Sequence, residues 1–175
     1  SEPGRGSTFW FEVDLPVVEA AAGVSTTPSA EIFGYTATGH YPLKVLVADD
    51  KAYNRLVLVD LLEPLGFEVM EAADGKEAVA KARAMQPDLI LMDLVMPVMT
   101  GIAAVEAIRH IEALKNTVIF ATSASVFEKD LQSSTIAGCD AFLPKPINVP
   151  QLFKLIAEHL QVTWVYQTPM SLGVS

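Results

Sequence analysis

The chain has 175 residues, half of them apolar, which suits one domain of ordinary size with extensions. Its net charge of −9, from 21 acidic and 12 basic residues, argues against nucleic acid as a direct partner, because phosphate backbones are bound by basic surfaces. The single cysteine excludes an intrachain disulfide framework, and no apolar stretch approaches the roughly 20 residues that span a bilayer. We therefore expect a cytosolic location without direct membrane contact, and leave open whether a parent protein is membrane-anchored.

The composition changes three times along the chain. Residues 1–16 begin with a turn-forming stretch and then alternate apolar and polar side chains, which predicts one amphipathic strand. A lone strand needs partners, so we interpret it as the end of a domain that has been cut short. Residues 17–41 are rich in Ala, Ser, Thr, Gly and Pro, which predicts a linker. We assign residues 42–161 to the main domain and residues 162–175 to a C-terminal tail.

Within the main domain, short apolar runs alternate five times with amphipathic helical patterns. The runs end near Asp49, Glu71, Asp93, Ser123 and Lys145, and the helical patterns that come after them end near Gly66, Met85, Ile111, Gly138 and Leu160. Asn54 is a candidate cap for the first helix, and the fourth helix is predicted over about 126–137. Continuous apolar runs in βα units are typical of a parallel sheet between two layers of helices. We predict an α/β fold, a flavodoxin-like doubly wound sheet of five parallel strands in the order 2-1-3-4-5 with five helices.

Polar side chains follow these apolar runs. Asp49 and Asp50 come after the first run, Asp93 ends the third, Ser123 ends the fourth, and Lys145 follows the fifth. Because the carboxyl ends of parallel strands lie along one edge of a sheet, we expect these side chains to converge there. Carboxylate oxygens are ligands that Mg²⁺ prefers. The sequence therefore predicts a site for a divalent cation and a phosphoryl group.

Asp93 is the predicted nucleophile of this site, because a carboxylate can attack phosphorus and form an acyl phosphate. Mg²⁺ would neutralise the phosphoryl oxygens, Lys145 would hold one of them, and the Ser123 hydroxyl would donate to another. The peptide bond that follows Lys145 precedes a proline, so its isomer is left open.

Two other functions that this fold can have agree less well with the sequence. A flavodoxin needs a phosphate-binding loop after the first strand, where the carboxylates of Asp49 and Asp50 would repel a flavin phosphate. A phosphatase with an aspartyl nucleophile needs a second aspartate two residues later, and that position holds Val95. The pattern therefore favours a slowly hydrolysed phosphoaspartate.

These features together resemble the receiver domain of bacterial two-component signalling. The resemblance rests on the Asp49-Asp50 pair, the loop 93–101, Ser123-Ala124 and the segment 142–146. It implies that Asp93 is the phosphoacceptor and that Asp49, Asp50, Asp93 and the backbone carbonyl of Val95 bind Mg²⁺, with one of the first two acting through water.

The same resemblance implies a conformational switch. Ser123 and Phe142 match the family's switch pair, which moves inward on phosphorylation and remodels the 4-5-5 face formed by the fourth helix, fifth strand and fifth helix. Such a change is a population shift between two conformers. Lys51 departs from the asparagine that many kinase-attached members carry after the acidic pair.

The start of the chain resembles a second family. Residues 1–11, with the pattern Gly-x-Gly-Ser-Thr-Phe, resemble the last glycine-rich box and final strand of a histidine-kinase ATP-binding domain. A receiver in this position implies a hybrid sensor histidine kinase, with the kinase core of the same protein and a histidine-containing phosphotransfer domain as partners. The fragment lacks the other ATP-binding boxes, so we expect it to catalyse only its own phosphorylation and slow dephosphorylation, while the parent would be a kinase.

Two alternatives remain open from the sequence. The domain could be a docking module that regulates the kinase or another enzyme by contact, with phosphorylation secondary, or a phosphate sink. Self-association through the exposed strand of residues 1–16 also stays open.

Overall fold

The computed structural model describes residues 32–124 and 138–167 of the chain. In chain order the strands and helices are β1 (Ile32–Ala37), β2 (Lys44–Ala48), α1 (Ala52–Leu62), β3 (Glu68–Ala72), α2 (Gly75–Met85), β4 (Leu89–Asp93), α3 (Gly101–Arg109), β5 (Val118–Ser123), β6 (Ala141–Pro144), α4 (Val149–Leu160) and β7 (Val162–Tyr166). Two short 3₁₀ turns, Glu63–Leu65 and Glu112–Leu114, follow α1 and α3.

The main sheet has five parallel strands in the order β3-β2-β4-β5-β6. Since β2 is the first strand of the domain, this is the predicted order 2-1-3-4-5, and the predicted fold class is confirmed. β3 lies at one edge of the sheet. The described residues contain four α-helices, and the helix predicted over 126–137 lies outside them. None of these helices combines the length and apolar character needed to span a membrane.

Side chains from both faces of the central strands form the core. In β4, Leu89 and Leu91 join a cluster with residues of α1 and α4, whereas Ile90 and Met92 join a cluster with residues of α2 and α3. Every residue of β4 is buried, which explains why its sequence is a continuous apolar run rather than an alternating one. Burying each such side chain contributes about 1.5–3 kcal/mol, which stabilises the strand that ends at the polar edge of the sheet.

Of the four helices in residues 32–124 and 138–167, three begin with a side-chain cap. Asp74, Thr100 and Asn148 accept hydrogen bonds from backbone N–H groups at the starts of α2, α3 and α4. α1 is the exception, since Lys51 occupies its cap position without a side-chain hydrogen bond. The prediction that Asn54 caps this helix is wrong, because α1 already begins at Ala52.

The structure differs from the prediction most clearly at the two ends of the domain. Residues 32–37, expected in the linker, form β1, and residues 162–166, expected in the tail, form β7. These strands pair antiparallel in a separate two-stranded ribbon, with Ile32 opposite Tyr166. The amphipathic strand predicted within residues 1–16 lies outside the described residues.

Aromatic side chains fasten this ribbon to the domain. Tyr35 is buried and stacks on Phe67 with 4.3 Å between ring centroids, and its hydroxyl accepts a hydrogen bond of 2.8 Å from the backbone N–H of Leu43. The indole N–H of Trp164 donates to the carbonyl of Phe153 in α4 over 3.1 Å. The ribbon therefore connects the segment before the main sheet with the segment after it.

Candidate functional site

The predicted polar residues meet at the carboxyl edge of the main sheet. Asp49 and Asp50 directly follow β2, and Asp93 and Ser123 are the last residues of β4 and β5. Lys145 directly follows β6. A pocket of about 420 Å³ opens at this edge, and its walls are Asp50, Lys51, Asp93, Val95, Ser123, Ala124 and Lys145.

Three carboxylates form an acidic cluster at this pocket, and two of them, Asp50 and Asp93, lie in its walls. One oxygen from each of Asp49, Asp50 and Asp93 lies within 4.8 Å of the other two. Like charges this close repel each other unless a cation is shared between them. Hard oxygen ligands in such a group fit a divalent cation of the size of Mg²⁺, so the residues present suit the ion that the sequence predicts.

The three members of the cluster differ in exposure. Asp49 and Asp93 are buried, with 3% and 6% of their surface exposed, whereas Asp50 is exposed. Within the described part of the chain, Asp50 makes no hydrogen bond or ion pair, so the lone pairs of its carboxylate face the pocket without a protein donor.

Lys145 bridges the two buried carboxylates. Its ammonium nitrogen lies 2.6 Å from Oδ2 of Asp49 and 2.5 Å from Oδ2 of Asp93. Burial acts to lower the pKa of Lys145, but the hydrogen bonds to Asp49 and Asp93 outweigh it, so this pKa lies above its ordinary value. The side chain is therefore charged at neutral pH. The peptide bond between Lys145 and Pro146 is cis.

The loop after β4 holds Asp93 in place. Its Oδ1 accepts a hydrogen bond of 2.9 Å from the backbone N–H of Val95, and the N–H of Leu94 donates to the carbonyl of Thr122. Gly101 begins α3 against this loop, and a Cβ there would collide with the carbonyl oxygen of Asp93. Only glycine permits this approach, which explains its presence eight residues after the aspartate.

Asp49 is held by the backbone of Lys51 and by the side chains of Asn54 and Arg55, and the sequence reasoning missed the last two as parts of the site. The side-chain amide of Asn54 donates to both carboxylate oxygens over 3.1 Å, and the backbone N–H of Lys51 donates to Oδ1 over 2.9 Å. The guanidinium of Arg55 donates to the backbone carbonyl of Asp49 and to Glu71 on β3, over 2.8 Å each. An asparagine and an arginine in the first turn of a helix that follows an acidic pair would be the signal to look for.

The remaining predicted residues lie at different depths. Ser123 is buried in the pocket wall, and its backbone carbonyl accepts a hydrogen bond of 2.8 Å from the N–H of Lys145. Phe142 is half-buried on β6 opposite Ala121 and does not line the pocket. Lys51 and Val95 are exposed at its rim. The roles predicted for these residues stay predictions.

Comparison with known proteins identifies the family. Residues 45–157 match the response regulator receiver domain family, and the chain belongs to it. It is 36% identical over 160 residues to the sensor histidine kinase AruS of Pseudomonas aeruginosa, an alignment that covers 90% of this chain and 15% of AruS. The chain thus spans a small part of that relative.

Solved structures show the same fold. The receiver domain of the sensor histidine kinase PA1611 from Pseudomonas aeruginosa has a magnesium ion in its active site cleft; it is 30% identical, with a TM-score of 0.63, covering 68% of this chain and 98% of that one. The receiver domain of Ssk1 from Saccharomyces cerevisiae, in complex with the histidine phosphotransfer protein Ypd1, is 30% identical, with a TM-score of 0.61, covering 68% and 89%.

Changing Asp50 to asparagine tests the charge balance of the cluster. In metal-free buffer the free energy of unfolding should rise by about 1 kcal/mol or less, because one of three repelling charges is removed and no hydrogen bond is lost. Added Mg²⁺ should stabilise the wild type by mass action and the Asp50→Asn variant much less. Urea denaturation with chelator or with Mg²⁺ measures both effects, and Asp60→Asn, further along α1, is the control. A loss of stability in chelator, or equal stabilisation of both proteins by Mg²⁺, would contradict the assignment of the cluster as a cation site.

Proposed function

We propose that this domain accepts a phosphoryl group from a phosphohistidine onto Asp93 and relays it within a two-component phosphorelay. The observation that carries the proposal is the placement of the Asp93 carboxylate in an open pocket, fixed at Oδ1 by the N–H of Val95 and at Oδ2 by Lys145. An oxygen of Asp93 would form a bond to phosphorus as the bond from phosphorus to the histidine nitrogen breaks. The electron pair of that bond returns to the imidazole ring.

The charged residues around Asp93 have separate roles in this reaction. Bound Mg²⁺ would neutralise charge on the phosphoryl oxygens. We propose that Asp50, Asp93 and the carbonyl of Val95 hold the ion directly, since the lone pairs of Asp50 are open, and that Asp49 acts through water. The ammonium of Lys145 is charged and lies beside the acceptor, so it can donate to a phosphoryl oxygen.

Ser123 and Val95 would act once the phosphoryl group is on Asp93. We propose that the hydroxyl of Ser123 contacts another phosphoryl oxygen and, together with Phe142, couples phosphorylation to the predicted switch face. Val95 stands two residues after the acceptor and is 63% exposed at the pocket rim. Its apolar side chain cannot act as an acid or base on an attacking water, which favours a long-lived phosphoaspartate.

The Asp93→Asn variant tests the assignment of the acceptor. With acetyl phosphate and Mg²⁺, the wild type should gain the mass of one phosphoryl group, and the variant should lose this modification by about 100-fold or more because its side chain is not a nucleophile. Intact-protein mass spectrometry measures the change, and chelation of Mg²⁺ should abolish it in the wild type. Modification of the variant at the wild-type rate would show that the acceptor lies elsewhere.

The relatives support a hybrid kinase as the parent protein. The alignment with AruS, a sensor histidine kinase, is too long to fit within residues 32–175, so it extends into the segment before residue 32. We therefore propose that the kinase core of the same protein is one phosphodonor. Because that phosphoryl group would come from ATP, we also propose a cytosolic location.

A histidine-containing phosphotransfer domain is the second partner that we propose. The structure of the Ssk1 receiver with Ypd1 supports this class of partner. In the present chain, α1 starts two residues after Asp50 and carries an exposed apolar patch beside the pocket, formed by Tyr53, Leu56 and Val57. These side chains are 76%, 53% and 46% exposed and lie at helical spacing on one face. Such a patch is typical of a protein interface, so we propose that the phosphohistidine domain docks there.

Replacing Leu56 with glutamate tests this docking surface. Transfer from a phosphorylated histidine-containing domain should slow by about 10-fold, because a charge would be buried at the centre of the interface. Phosphorylation by acetyl phosphate should proceed as in the wild type, since it needs no docking. Radiolabel transfer from the candidate domain measures the first rate, with Phe33→Glu on the exposed face of β1 as the control. Equal slowing with both phosphodonors, or with both variants, would show that the patch is not the docking surface.

A further inference from the structure

The side chain of Asn54 contacts the acidic cluster from the first turn of α1. Its amide nitrogen lies 3.1 Å from Oδ1 and 3.1 Å from Oδ2 of Asp49, so it spans both oxygens of one carboxylate. The nitrogen end of the amide must face Asp49, because an ionised carboxylate only accepts hydrogen bonds and the amide oxygen would be repelled. Asn54 thus adds two contacts to the cluster and no charge.

Three donor groups contact the carboxylate of Asp49 in four hydrogen bonds. Oδ1 receives the backbone N–H of Lys51 and the amide of Asn54, and Oδ2 receives the amide of Asn54 and the ammonium of Lys145. Two of these donors, Lys51 and Asn54, belong to the β2–α1 segment and stay with Asp49 when Lys145 turns toward a phosphoryl oxygen.

Helix formation does not account for an asparagine at this position. Asparagine is a weaker helix former than alanine, and its usual place at a helix start is the cap. Here the cap position is Lys51, and the amide of Asn54 points away from the helix backbone to Asp49. The side chain of Asn54 therefore binds the Asp49 carboxylate and does not cap the helix.

The backbone around Asp49 has an independent support. Arg55 donates to the carbonyl of Asp49 and to Glu71, and the N–H of Asp49 donates to the carbonyl of Ala72 over 3.1 Å. Removing the amide of Asn54 would leave these contacts in place. The change would then act on the orientation of the Asp49 side chain and not on the path of the chain.

We propose that Asn54 is a positioning residue that acts through Asp49: its amide holds the carboxylate in the orientation that supports a divalent cation in the pocket. The proposal rests on the proposed function, because it assumes that the acidic cluster binds Mg²⁺. Outer partners of metal-binding groups fix their orientation in this way, and losing one commonly weakens metal binding by about 10–100-fold. Asn54 is predicted to set the affinity for the ion without touching the phosphoryl group.

The test compares Asn54→Ala with Asn54→Gln and with Asn116→Ala in the full 175-residue chain. Asn116 is exposed in the turn before β5 at the opposite end of the sheet, so it matches the chemistry of the change at a distance from the pocket. Calorimetry, or amide chemical shifts followed during a Mg²⁺ titration, measures the dissociation constant. Urea denaturation in chelator measures stability without the ion.

The Mg²⁺ dissociation constant of Asn54→Ala should rise by about 10-fold, that of Asn116→Ala should stay at the wild-type value, and Asn54→Gln should recover part of the loss because it keeps the amide donor. At saturating Mg²⁺, phosphorylation of Asn54→Ala by acetyl phosphate should return to within about two-fold of the wild-type rate, because Asn54 acts through the ion site. A merely structural asparagine would instead lower stability in chelator and leave the dissociation constant unchanged.

The outcomes separate this proposal from the proposed function. If Asp50→Asn weakens Mg²⁺ binding and Asn54→Ala does not, the role of Asn54 is overturned and the phosphoacceptor function stands. Equal weakening by Asn54→Ala and Asn116→Ala also overturns it, because the effect would not be specific to the site. If Asp50→Asn leaves Mg²⁺ binding unchanged, the cluster is not the ion site and both proposals are lost.

Discussion

The arrangement of the pocket depends on one ammonium group shared between two buried carboxylates. Lys145 follows the last strand of the main sheet, and Asp49 and Asp93 come from two central strands, so this contact joins the ends of three strands at one point. Burying an unpaired charge is unfavourable. Removing one of these three charged side chains would therefore leave at least one of the others buried with fewer partners and destabilise the fold. The pairing is incomplete, because the Lys145 ammonium meets three carboxylates, and even with Lys51 at the pocket rim the net charge is negative and favours a divalent cation.

The same interaction links the resting structure to signalling. A phosphoryl group on Asp93 would offer Lys145 a new acceptor, and the contacts between the ammonium and the two aspartates would have to be redistributed. A covalent modification can shift a population of conformers only if the new group makes better contacts in one conformer than in the other. The redistribution of the Lys145 contacts supplies such a difference. The predicted route to the switch face runs through Ser123, whose carbonyl already accepts a hydrogen bond from the backbone of Lys145. Phe142 lies on the neighbouring strand, opposite Ala121.

Much of the fold and most of the pocket could be predicted from local sequence patterns. The strands that lead to Asp49 and Asp93 are continuous apolar runs because both of their faces are buried, and parallel strands bring their ends to one edge. The ribbon could not be predicted in this way, because its stability comes from pairing between β1 and β7, which are far apart in sequence, and because Gly34 and Thr36 make β1 look like a linker. The contact of Asn54 with Asp49 could not be predicted from the sequence either, because asparagine at the start of a helical pattern is usually a cap.

The most direct measurement is the pKa of the Lys145 side chain, obtained by NMR of its ammonium group in metal-free protein. We predict a pKa above the ordinary value of 10.5, because the hydrogen bonds to Asp49 and Asp93 outweigh the effect of burial, and a lower pKa once Asp93 is replaced by asparagine. Burial alone would push the pKa in the opposite direction. A Lys145 pKa that stays the same after Asp93 is replaced by asparagine would mean that Lys145 does not bridge the two carboxylates, and the geometry on which the phosphoacceptor site depends would be contradicted.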